Sequence, residues 1–122
     1  STSPEAAHAF ELDQQIEELR GLEPYKREGR TARTLMRTDD LRVVLIVMQE
    51  GSHIEEHDAD GTVTVHALSG ELKLSTPERE VTLTSGGLLA MDSGLRHDVR
   101  AVKDSAFLLT LGWGTNTPRR KS

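Results

Sequence analysis

The chain of 122 residues carries a formal net charge of −5 and has no cysteine. That length fits one domain. The missing thiols exclude disulfides, iron–sulfur clusters and thiolate zinc sites, and the acidic balance argues against a nucleic-acid partner. No stretch approaches the roughly 20 apolar residues of a membrane span, and the opening residues lack a signal-peptide pattern; a soluble, cytoplasmic protein with no membrane partner is expected. Aromatics are scarce (Phe10, Tyr25, Phe107 and Trp113), so the core must be aliphatic.

Residues 1–31 form an N-terminal tail, helix and connector. From Phe10 to Leu22 the pattern is helical: Leu12, Ile16 and Leu19 fall on one face. Asp13 can cap the first turn and Gly21 can stop the helix. Such a helix is marginal alone and must lie on something apolar, either as a clasp across a sheet or against a second subunit. Pro24 to Arg33 reads as a polar connector with Lys26, Arg27, Arg30 and Arg33, and Arg37 lies just beyond. These charges can balance Glu17, Glu18, Glu23 and Glu28, or hold an anion or an acidic partner.

From residue 32 to 114 the period is two. Strands are expected at Arg33–Thr38, Leu41–Gln49, Thr62–Ser69, Glu71–Thr76, Glu80–Thr84, Gly87–Asp92, His97–Val102 and Ser105–Trp113, with a short one at Glu55–His57. Asp39-Asp40, Asp60-Gly61, Ser69-Gly70, Ser85-Gly86-Gly87 and Ser93-Gly94 separate them with turn chemistry. Short strands with short loops mean an all-β sandwich or barrel. The segment LRVVLIVM (Leu41–Met48) is apolar on both faces, Leu41, Val43, Leu45 and Val47 on one and Val44, Ile46 and Met48 on the other. Such a strand is covered on both sides, which points to the helix or to a homodimer. Residues 115–122 form a basic tail expected to be disordered; Arg119, Arg120 and Lys121 give too little counterion release for firm nucleic-acid binding.

Two glycine-bounded segments stand out, Gly51–Gly70 and Gly86–Arg100. Gly51 is followed by five residues and His57, and the segment closes at Gly70; Gly87 is followed by five residues, Ser93-Gly94, two residues and His97. These segments resemble the two motifs of the cupin family, over about Leu35 to Leu111. The resemblance implies an all-β cupin double-stranded β-helix, a jelly-roll barrel of the RmlC-like type, with a short N-terminal α-helix. Metal-binding cupins use three histidines and a glutamate. Here the second histidine position reads Ala59 and the glutamate position, seven before Gly70, reads Val63. Only His57 and His97 stay in register, so the family's metal site does not carry over whole.

Two readings of the site follow. In one, His57 and His97 form the polar end of a pocket for a small organic molecule, lined by Val63, Val65, Leu89 and Met91; valine packs where an unpaired glutamate would be costly. In the other, a divalent ion (Fe, Mn, Ni or Zn) sits on His57, His97 and a third ligand. Glu55 is the local candidate, because an extended chain puts His53, Glu55 and His57 on one face. That reading implies a dioxygenase, isomerase or decarboxylase. A third reading is an interaction or regulatory protein acting through its dimer surface. His66 should point away from the interior, and His8 lies in the N-terminal segment. No GxSxG, P-loop, GxGxxG or HExxH motif is present, and Ser93 four residues before His97 lacks a placed acid.

Overall fold

The computed structural model describes residues 6–58 and 60–114, with the backbone alone at 56–58. The basic tail at 115–122 lies outside the described residues. Helix α1 (Leu12–Arg20) comes first, as its apolar spacing demands. Its cap position is Glu11, with no side-chain cap hydrogen bond; Asp13 sits inside the first turn rather than capping it. The expected connector holds a second helix, α2 (Glu23–Glu28), which Pro24 can start because the first turn needs no amide donor. Gly29, at φ 87°, ends it in the left-handed conformation. Two of the basic residues here are tied to neighbouring acids: Arg27 lies 3.6 Å from Glu23, and Arg33 donates to Glu18 at 2.9 Å and also to Gln15 at 3.2 Å.

The strands follow in order: β1 (Arg30–Arg37), β2 (Leu41–Met48), β3 (His53–Asp58), β4 (Thr62–Ser69), β5 (Glu71–Ser75), β6 (Glu80–Thr84), β7 (Leu88–Met91), β8 (Arg96–Ala101) and β9 (Ser105–Gly112). Their antiparallel ladders build two sheets, ordered β1-β2-β9-β4-β7 and β3-β8-β5-β6. β1 begins earlier than its sequence pattern suggests, because the left-handed turn at Gly29 delivers the chain directly onto β2.

Alternation along each strand decides what lies between the sheets. Val44, Ile46, Met48, Val63, Val65, Ala67 and Phe107 from the first sheet meet Leu72, Leu74, Val99 and Ala101 from the second. The other face of β2 is covered within the chain: Leu45 and Val47 pack with Ile16, Leu19, Tyr25 and Ala106. The helix is therefore the clasp, and it covers the second half of the strand that the sequence marks as two-sided.

Tyr25 anchors this clasp. It is 6% exposed, and its carbonyl accepts a hydrogen bond from Gln49 Nε2 at 3.0 Å. Burial, with help from the Asp104 carboxylate, pushes its phenol above the usual 10.0, against the opposing pull of Arg20. Above pH 10 the unfolded chain gives up this proton first. The stabilising preference is therefore intact below that value and is lost as pH climbs through the folded-state pKa. Urea unfolding between about pH 9 and about pH 11 should show a steeper loss of stability in the wild type than in Tyr25→Phe. Equal slopes would refute this.

Candidate functional site

The registers gather one end of the barrel. β3 ends where β8 begins, with Asp58 opposite Arg96 and His57 opposite His97. On the other flank of β8, Ser75 stands opposite Asp98, which brings the β5–β6 turn to the same end. In the facing sheet a single cross-strand row runs Arg37–Arg42–Leu111–Val63–Met91. Arg42 shares the alternation of Val44, Ile46 and Met48, so it belongs to the barrel side of β2.

His97 lies inside, 2% exposed, on the same face of β8 as buried Val99 and Ala101. Its Nδ1 is 3.2 Å from the Leu95 carbonyl oxygen. A carbonyl only accepts, so Nδ1 carries the proton in this contact. The backbone register sets His57 against His97; the side chain of His57, like the whole of Ala59, lies outside the described atoms.

His53 and Glu55 do not share a face with position 57 as the extended-chain reading expects. Ile54 pairs with Val99 and His57 with His97, so β3 spends three steps where β8 spends two. This bulge reverses the alternation. Ile54 packs against the barrel core. His53 stands on the outer side, opposite Arg100, with Nε2 3.3 Å from Asp98 Oδ2. Glu55 is exposed. His66 lies on the outer side of β4, opposite Leu108 and Leu88.

Of the expected pocket residues, Val63 and Val65 are sealed in the core at 2% and 0% exposure. Leu89 and Met91 border a hollow of about 220 Å³ at the edge between β6 and β7. Val81 and Leu95 complete its apolar wall, and Glu78, Arg79 and Asp92 form a charged rim. A second hollow at the same end, about 350 Å³, is bounded by Asp60, Gly61, Leu111 and Trp113. Sequence reasoning did not bring Arg42 or Trp113 to this end of the barrel; the alternation of LRVVLIVM already assigns Arg42 to the inner face.

No family model and no curated protein sequence matches this chain. Solved structures do match. A conserved protein of unknown function from Streptococcus pyogenes superposes with a TM-score of 0.74 at 24% identity, over 90% of each chain. A cupin superfamily protein from Desulfitobacterium hafniense gives 0.67 at 15% identity, over 70% of this chain and 78% of that one. The chain has the cupin fold. A salicylate 1,2-dioxygenase variant from Pseudoaminobacter salicylatoxidans also matches this chain, with a TM-score of 0.71 at 13% identity, over 82% of this chain and 32% of that one.

Whether the residues of this barrel fit a metal is a question of donors. Val63 fills the position that the family motif gives to glutamate, and it is packed among aliphatic side chains. His53 is turned to the outer side and Glu55 is exposed. Among the described residues no group of three or more His, Asp or Glu side chains converges, whereas a divalent catalytic site normally takes three protein ligands. The described side chains therefore do not fit a metal. No helix among them is long and apolar enough to cross a membrane.

Proposed function

We propose that this cupin is a binding protein that holds a small, partly apolar organic molecule at the barrel mouth, with His57 and His97 as its polar end. The observation that carries this reading is the buried imidazole of His97, its Nδ1 held by the Leu95 carbonyl, in an otherwise apolar interior. A hollow with apolar walls and a few polar groups at its rim is the usual form of a small-ligand site. The spaces at this end, about 220 Å³ at the β6–β7 edge and about 350 Å³ beside Leu111 and Trp113, suit a compact ligand rather than a large cofactor.

The test is to denature tag-free protein and identify what it releases by mass spectrometry. A single low-mass organic compound, near one per chain, is expected from the wild type. It should be lost from His97→Phe, which keeps the volume and removes the ring nitrogens. Wild type that releases nothing and gains no stability from any member of a small-molecule library would end this reading.

The reading includes a homodimer. The outer face of the first sheet keeps an apolar groove beyond the clasp, lined by Leu35, Met36, Val43 and Leu108, with Phe10 at its edge and 39% exposed. A second copy is the partner proposed for it. Met36→Asp should convert a dimer to a monomer in sedimentation velocity, with its circular-dichroism spectrum unchanged. A wild type that sediments as a monomer at all concentrations would overturn the assignment.

A further inference from the structure

Arg37 and Arg42 stand directly opposite one another on β1 and β2. Like charges in that position repel, and such a pair persists only where something offsets it. Two other arginines of this region have acids: Arg27 has Glu23 and Arg33 has Glu18. Among the described residues Arg37 and Arg42 carry no ion pair. The Nε of Arg42 is also shut off from solvent with no hydrogen-bond partner. A buried guanidinium nitrogen left unsatisfied is a standing cost to the protein alone.

Position makes this pair more than a surface accident. Arg42 lies on the barrel side of β2, in register with Leu111, and through it with Val63. The hollow of about 350 Å³ bordered by Leu111 and Trp113 opens at this same end. We infer that Arg37 and Arg42 form an anion seat, and that the ligand of the barrel mouth is a small organic carboxylate. The inference rests on the binding reading given above and adds the ligand's chemical class. A carboxylate matches the planar fork of a guanidinium through two parallel hydrogen bonds. Its apolar body would lie against Leu111 and the face of Trp113. Asp60 borders the same hollow, and its negative charge disfavours a doubly charged phosphate.

Trp113 is the single tryptophan, so its fluorescence reports on this hollow without labelling. The probes are benzoate and its neutral isostere benzamide, titrated in chloride buffer free of other carboxylates, with inorganic phosphate as a third titrant. In the wild type benzoate should bind at least about tenfold more tightly than benzamide, as a charge-assisted bidentate contact predicts. Arg42→Met should bring the two affinities together while leaving the thermal midpoint of the ligand-free protein equal or higher, because the like-charge pair is gone. Arg42→Lys, which keeps the charge and loses the fork, should fall between. Arg37→Met, at an exposed position, supplies a second variant should Arg42→Met fold poorly. If wild type binds both probes equally, or phosphate in preference to benzoate, the carboxylate seat is wrong and the binding reading stands. If no probe binds, by fluorescence or by calorimetry, the carboxylate seat is wrong, and the release experiment above decides the binding reading.

Discussion

Gly70→Ala should unfold this protein or lower its melting temperature by roughly 15 °C or more. Gly70 joins β4 to β5 at φ 84°, a left-handed conformation that costs a residue with a Cβ about 1–2 kcal/mol. Steric contact costs more. An added methyl would land on the carbonyl of Asp104 and on the Ser105 side chain, with Ser105 Cα at 2.7 Å. That segment cannot yield cheaply. Ser105 is fully buried, its hydroxyl donates to the Lys103 carbonyl at 2.6 Å, and the Glu71 amide donates to it at 3.0 Å. Asp104 in turn accepts from the Glu50 amide at 2.8 Å, so displacement would pull on the β2–β3 turn as well. A loss above about 4 kcal/mol is the expected size when backbone strain and overpacking combine. Gly51 gives the internal control. It has φ 87°, but a methyl added there would meet nothing within 4 Å, so Gly51→Ala should cost only the backbone strain, about 1–2 kcal/mol. Guanidinium melts of the two variants decide it: losses within about 1 kcal/mol of each other would show that close approach does not set the requirement at Gly70.

Much of this architecture is legible in the residues, because period-two alternation and glycine-bearing turns act locally. The two-faced apolar pattern of Leu41–Met48 announces cover on both sides, and the spacing of Leu12, Ile16 and Leu19 supplies one cover. Helix α2 is hidden, since six residues carry too little periodicity to outweigh Pro24 and a run of charges. The site is less legible for a sharper reason. Counting by twos from His57 assigns Glu55 and His53 to its face, and the bulge after Ile54 reverses that assignment. A bulge is a property of the paired strands, here of how β3 matches β8, and a single strand's pattern does not contain it. Arg42 is the converse case. Its face can be read from its own strand, but its meaning comes from Arg37, which reaches it only through the β1–β2 register.

Val63→Glu should be the second severe substitution, and it tests what Val63 does at the position the cupin motif gives to glutamate. Val63 is 2% exposed, between Leu111 and Met91 in register. A carboxyl there has no partner among the aliphatic side chains, and an unpaired buried charge costs on the order of 3–5 kcal/mol at neutral pH. The penalty should depend on pH with a definite sign. Burial raises the introduced carboxyl's pKa in the folded state. Below about pH 4, its ordinary value, it is protonated in both states and the loss is smallest; as pH rises the unfolded chain ionises first and stability falls. Val63→Gln, uncharged and of similar size, should be destabilised without that slope. The carboxyl would also complete two imidazoles and a carboxylate if His57 meets His97 as their register implies. Nickel or zinc should then restore about 2.7 kcal/mol at a hundredfold excess over its dissociation constant, in Val63→Glu but neither in wild type nor in Val63→Glu/His97→Ala. Metal that stabilises the wild type equally would mean that a functional ion site exists despite Val63. No rescue in any variant would mean that the imidazoles of positions 57 and 97 do not converge, and the polar end of the proposed pocket would reduce to His97 alone.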